Sequence, residues 1–171
     1  MPHTVTVRTT TTATTGTFNA GFLKSWPGIL KLLETVIGAV VLGLVAYYGT
    51  HFNTHSIDGF GAKSEHTYLF LVSFGCLLPT LLLLVTSVSS VMSSTLIPKT
   101  LFEVVFNVFA FLLYLSAGLA LLIVLIKQKH HYLKDAEHDG KIAASVLGLI
   151  NAVLYATSTS FSYKAYKNTC S

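Results

Sequence analysis

Charge is what this sequence has least of. Only 11% of its 171 residues are charged, against about 25% in a typical soluble domain. The few charges are also unevenly spread. No Asp, Glu, Lys or Arg lies between Glu65 and Lys99, between Glu103 and Lys127, or between Lys141 and Lys164. Gaps of that length exclude a soluble enzyme and restrict disorder to the N-terminus, because uninterrupted apolar stretches of this size are membrane spans. Arginine is almost missing: Arg8 stands alone. The pI of 9.1 therefore does not indicate a nucleic-acid partner, since the lysines are scattered between apolar runs and form no basic face. Cysteine is scarce too. Cys76 lies in an apolar run and Cys170 is penultimate, so a disulfide between them is not expected, and no C-x-x-C is present for thiol chemistry. No histidine falls inside an apolar run, which removes bis-histidine haem ligation. No nucleophile motif, phosphate loop or H-E-x-x-H occurs. No catalytic residue, metal site or cofactor is therefore expected.

What is present in abundance is hydrophobic sequence: 52% of residues, with a mean hydropathy of +0.65. Four spans are predicted, at about 27–48, 67–91, 101–126 and 142–163, each long enough for ~30 Å of hydrocarbon at about 1.5 Å per residue. The fold class is an all-α integral membrane protein, a four-transmembrane-helix bundle. Pro27 suits a first helical position, Trp26 and Tyr47–Tyr48 suit the two interfaces, and Pro79 predicts a kink in the second span. The domain plan is a Thr-rich tail over 1–21, a membrane domain over 22–167 and a short tail over 168–171. Nine threonines fall in the first 17 residues, a composition read as disordered. Basic residues divide six (Arg8, Lys24, Lys31, Lys99, Lys164, Lys167) against five (Lys63, Lys127, Lys129, Lys134, Lys141) between the two sides, so the positive-inside rule does not orient the chain. The N-terminal stretch carries no signal-peptide pattern, and cytosolic termini are the expectation.

Polar groups inside a membrane are costly. Glu34 lies about 10 Å deep by helical rise and must be hydrogen-bonded within the bundle or held neutral. Lys31, one turn earlier, is expected to snorkel outward, and Glu103 to reach the interface. Matching depths across antiparallel spans groups Glu34, Asn107, Thr86 and Ser158 in one polar layer, with Tyr114 and Asn151 in a second near the midplane. Interhelical hydrogen bonding, worth about 0.6–2 kcal/mol per bond, is preferred for these layers over a proton or substrate site. Small residues recur at every fourth position in the last span, at Ala144, Gly148, Ala152, Ala156 and Ser160, and again at Ala39 and Gly43 in the first. Packing inside the bundle is the favoured use of these ridges, and a homo-oligomer seam the alternative. The histidines cluster in loops, at His51, His55, His66, His130, His131 and His138, and are read as solvated. A cytosolic Cys170 is a candidate for palmitoylation, and Cys76 for a small core residue.

The run GILKLLETVIG from Gly28 to Gly38 resembles the first span of MARVEL-domain proteins, the group that includes MAL, plasmolipin and the chemokine-like-factor-related proteins. Phe106-Asn107 with Leu113-Tyr114 is similar to the third span of plasmolipin. Ala143 to Ser145, then Tyr155 and the run FSYKAY from Phe161 to Tyr166, are closer still. The resemblance covers about residues 22–167. It implies a tetraspan bundle with cytosolic termini in plasma membrane or vesicles, and no catalysis. Its implied work is vesicle trafficking, membrane apposition, and junctional or myelin-like membrane. The implied partners are membrane lipids, cholesterol-rich ones included, and other membrane proteins. Glu34 and Asn107 match the family's intramembrane polar positions as structural residues. A small proton-coupled carrier or channel using Glu34 is the rival reading.

Overall fold

The computed structural model describes residues 20–50, 64–89, 101–127 and 135–170. These form a short helix α1 (Ala20–Lys24) and four long ones: α2 (Trp26–Thr50), α3 (Ser64–Ser89), α4 (Leu101–Lys127) and α5 (Asp135–Cys170). No strand occurs among the described residues. All four long helices are apolar and long enough to cross a membrane. They stand in a ring in chain order: α2 packs on α3 and α5, α4 packs on α3 and α5, and the α4–α5 interface is the most extensive. The Thr-rich tail expected over 1–21 falls almost wholly outside the described residues, as do His51, His55, His130 and His131. The side chains of His138 and Cys170 are likewise outside them. His66 stands half-buried in the first turn of α3.

Ordinary amphipathicity is inverted. Leu71, Phe74, Leu82, Phe109 and Val153 point outward, while Glu34, Ser73, Asn107, Ser145 and Asn151 are buried. Lipid tails are as apolar as leucine, so nothing drives large side chains inward. Close packing and hydrogen bonding favour small and polar ones there instead. On α4 the buried positions 103, 104, 107, 110, 114, 117, 118, 121 and 125 advance by the threes and fours of one helix face.

The start of the bundle differs from expectation by one residue. Ser25, not Trp26, caps α2: its hydroxyl accepts from Gly28 N–H at 3.3 Å and donates to the Phe22 carbonyl at 2.6 Å. Pro27 is thus the second helical residue, where its missing N–H still costs nothing because first-turn amides lack helical acceptors. The turn brings α1 against Gly28 so tightly that a Cβ there would sit 1.9 Å from the Phe22 carbonyl oxygen. The obstacle is backbone, with no rotamer to move. Gly28→Ala should therefore lever α1 off α2 at a cost of about 1–3 kcal/mol. It should lower the melting temperature in detergent and speed tryptic cleavage after Lys24. Unchanged melting and cleavage would show that the turn relaxes freely. At the far end α5 is longer than the expected 142–163 span, continuing as helix from Asp135 to Cys170. Helical hydrogen bonding does not stop at the membrane boundary that hydropathy detects. In the middle, α3 runs unbroken through Pro79, with the Thr80 hydroxyl donating to the Cys76 carbonyl at 2.8 Å.

Candidate functional site: a buried ion cluster at one end of the bundle

The beginnings of α2 and α4 and the end of α5 converge, and the charged side chains meet there. Lys31 is only 4% exposed and Glu34 1%. The Lys31 ammonium, with its three N–H donors, is surrounded by three acceptors: Asn107 Oδ1 at 2.7 Å, Glu34 Oε2 at 3.3 Å and Glu103 Oε1 at 3.4 Å. The Glu34 contact is an ion pair rather than an aligned hydrogen bond. Glu34 Oε1 instead accepts from the Ser158 hydroxyl. Lysine has no acceptor, so it fixes the orientation of the Asn107 amide, whose Nδ2 then points at Ser162 Oγ, 3.4 Å away. The ammonium also lies 5.9 Å from the ring centres of both Phe106 and Tyr155, within cation–π range.

Lys31 does not snorkel but turns inward, and Glu103 is buried beside it rather than exposed; both are corrections to the sequence reading. Snorkelling wins only where the head group has no better partner inside. Here three oxygens from two helices, α2 and α4, surround it. The pair was legible in part: Lys31 and Glu34 are three residues apart and share a helix face.

Thr86 also corrects the reading. It is exposed and spends its hydroxyl on its own helix, on the carbonyls of Leu82 and Leu83. Ser87, about 100° further round the helix, is the buried one. Depth alone cannot choose between such neighbours. Thr86→Val should accordingly change stability by less than about 0.5 kcal/mol, whereas Ser158→Ala should cost about 1–3 kcal/mol by leaving a buried carboxylate oxygen without its donor. Denaturant titration of both variants in one detergent checks the contrast, and equal losses would refute it.

Below the ion cluster an aromatic column follows the α4–α5 interface. Phe106 meets Tyr155 edge-on at 6.1 Å, and Tyr155 stacks on Tyr114 at 5.7 Å. Tyr155 Oη is 2.7 Å from Thr80 Oγ1. Thr80's single proton goes to Cys76, so the tyrosine is the donor. Deeper still, Tyr114 and Asn151 are fully buried, and Gly38 lies beside both: a Cβ there would be 3.3 Å from Tyr114 Oη and 3.6 Å from Asn151 Nδ2. Ser73 is buried in the neighbouring helix, and its hydroxyl, Tyr114 Oη and both Asn151 polar atoms have no hydrogen-bond partner among the described residues.

The small-residue ridges divide. Ala144, Gly148 and Ala152 are buried, with Gly148 facing Leu69 and Tyr114. Ala156 is only half-buried, and Ser160 is exposed and bonded back to the Ala156 carbonyl. A four-residue repeat turns about 40° further round the helix at each step, so a five-member ridge cannot stay on one interface. Ala39 and Gly43 are exposed, and no atom lies within 4 Å of a Cβ built on Gly43. The inner stripe of α2 is instead Lys31, Glu34, Gly38, Val41 and Val45, one step round the helix. Cys76 is buried in the core.

A family model for a membrane-associating domain, MARVEL, matches residues 22–161. Among curated proteins, MARVEL domain-containing protein 1 of Xenopus laevis is similar, 28% identical over 150 residues, covering 88% of this chain and 81% of that protein. No solved structure matches.

Proposed function

This chain belongs to the MARVEL family of membrane-associating domains, and from that premise we propose that it organises specialised membrane without catalysing a reaction. The settings proposed are vesicle trafficking, membrane apposition, and junctional or myelin-like membrane. Its partners would be lipids, cholesterol-rich ones included, other membrane proteins and further copies of itself. The observation that carries this reading is the inverted surface. Side chains such as Leu71, Phe74, Leu82 and Phe109 face outward from the spanning helices, while Lys31, Glu34, Asn107, Asn151 and Ser158 are turned inward. A protein built in this way meets others through its lipid-facing surface. Both termini are proposed to be cytosolic.

The test is the position of a tagged copy in polarised epithelial cells, with selective permeabilisation to place the tag. Enrichment in apical, junctional or vesicle membrane with a cytosolic tag is expected. An even distribution over the cell surface would sink the reading.

A second reading has one observation in its favour. Glu34 is not isolated but shares a buried cluster with Lys31 and Glu103, the kind of ionisable group that carriers place in their interiors. In a proton-coupled carrier, Glu34→Gln would abolish pH-driven flux in liposomes. Absence of flux in the unmodified protein would end this alternative.

A further inference from the structure

The formal net charge of +4 belongs wholly to one end of the bundle. By connectivity, the end where α2 and α4 begin and α3 and α5 finish carries Arg8, Lys24, Lys31, Lys99, Lys164 and Lys167 against Glu34 and Glu103. The other five lysines and the other five acids all belong to the opposite end, which is therefore neutral. The excess at the first end cannot be cancelled from elsewhere. No Asp or Glu occurs in residues 1–19, 90–100 or 165–171. The acids of the opposite end lie at the starts of α3 and α5, apart from Asp58. Asp58 is six residues from the start of α3, a reach of about 21 Å at full extension, whereas α3 itself is about 39 Å long.

Three of these cations share one layer. Ser158 donates to Glu34 and Gly140 packs against Tyr48, so α2 and α5 run antiparallel and are level at Glu34 and Ser158. By helical rise, Trp26 lies about 12 Å from that level, and Lys164 and Lys167 about 9 and 14 Å from it in the same direction. Lys24 is two residues before Trp26, on α1, which the Ser25 turn holds against α2. Lys24, Lys164 and Lys167 are all exposed, and none is in an ion pair among the described residues. Lys31, by contrast, is buried in the cluster. Trp26, 72% exposed, and Tyr163, 55% exposed, mark the same layer, and such aromatic rings sit at the level of lipid head groups. The three free ammonium groups are therefore among head groups. A zwitterionic head brings no net charge to them. An anionic one brings phosphate oxygens, which accept charge-assisted hydrogen bonds, and the negative charge that a basic layer attracts.

We infer that Lys24, Lys164 and Lys167 form a basic layer that gathers anionic phospholipid around this end of the bundle and not around the other. The recognition is of charge, so phosphatidylserine and phosphatidylglycerol serve equally. Anionic lipid is concentrated in the cytoplasmic leaflet, which agrees with the cytosolic termini proposed above. The inference deepens the organiser reading by naming a class of lipid and rests on it only for the membrane setting. Its readout is lipid preference in vesicles, so a chain that gathers anionic lipid there but spreads evenly over the cell surface sinks the organiser reading alone.

Trp26 is the only tryptophan in the chain and reports from this layer. The full chain is reconstituted into dioleoylphosphatidylcholine vesicles that hold a fixed minor fraction of one phospholipid brominated near the top of its acyl chains. Bromine quenches indole fluorescence on contact, so quenching counts the labelled lipids beside Trp26. At low salt, brominated phosphatidylserine and brominated phosphatidylglycerol should each bind there about fivefold better than brominated phosphatidylcholine, the ratio that one lysine near anionic head groups supplies. Salt at about 1 M, where the screening length is about 3 Å, should bring the ratio to about one. Lys24→Gln, Lys164→Gln and Lys167→Gln combined should do the same at low salt. The salt arm uses the unmodified chain and keeps the test decisive if that variant does not fold. Trp26→Phe with Tyr47→Trp moves the probe about 31 Å along α2, to the neutral end, where no preference is expected. Equal quenching by all three lipids at low salt overturns the inference. So does a preference that survives high salt or the triple substitution, or one that is equal at both ends. A preference for the serine lipid alone also overturns it, since that would be recognition of head-group shape and not of charge.

Discussion

Lys31→Met is expected to destabilise the bundle by about 3–5 kcal/mol, the cost of removing one partner from a buried ion pair. Among the described residues the ammonium is the only cation in contact with Glu34, Glu103 and Asn107, and it ties α2 to α4. Methionine keeps much of the side-chain volume, so the loss is electrostatic rather than a cavity. Two carboxylates would be left facing each other with no donor between them, and Asn107 Oδ1 would lose its shortest contact. Lys31→Arg should lose part of the stability as well: a planar fork does not reproduce three bonds radiating from one atom. Restoring an apolar or neutral set, with Lys31→Met, Glu34→Gln and Glu103→Gln combined, should recover most of the loss, because the penalty lies in the unpaired charges and not in the absence of the pair. Thermal melts in detergent, followed by size-exclusion, decide this. If Lys31→Met melts like the unmodified chain, the cluster is not a structural element. If the triple variant is no better than the single one, unpaired charge is not the cause.

Tyr155→Ala is the second large effect, again about 3–5 kcal/mol. Burying this ring in lipid rather than water brings no hydrophobic gain. What is lost is its packing: Tyr155 lies between Phe106 and Tyr114, 6.1 and 5.7 Å from their ring centres, in the α4–α5 interface that is the largest in the bundle. The helices are held at their spacing by many other contacts and cannot collapse onto the void. Tyr155→Phe separates the ring from the hydroxyl. It removes only the bond to Thr80, 2.7 Å long, and should cost about 0.6–2 kcal/mol, the range for interhelical hydrogen bonds in membranes. An alanine variant no less stable than the phenylalanine variant would show that the column contributes no packing.

The sequence by itself determined the architecture. Charge-free stretches between Glu65 and Lys99, Glu103 and Lys127, and Lys141 and Lys164 fit spanning helices, because a continuous apolar run of about 20 residues is the length of a helix that pairs its own backbone across hydrocarbon, whereas a barrel strand takes about ten. It also determined which layers are polar. Helical rise is a fixed 1.5 Å per residue, so counting from the ends of antiparallel spans brings Glu34, Asn107 and Ser158 to one depth, and the three are buried together.

Depth is one coordinate, and the angle round each helix is the other. The tertiary structure alone decided that. Thr86 and Ser87, or Gly38 and Ala39, differ by about 100° of rotation. In a span that is apolar all round, no strong amphipathic moment tells which of each pair faces inward. Packing chose Ser87 and Gly38, and left Thr86, Ala39 and Gly43 toward the lipid. The same rotation turned Lys31 away from the interface. A lysine near a membrane surface reaches outward unless acceptors lie within its arc, and here they come from residues 76 and 72 positions distant in the chain, Asn107 and Glu103. Only the folded ring of helices brings those oxygens to the ammonium.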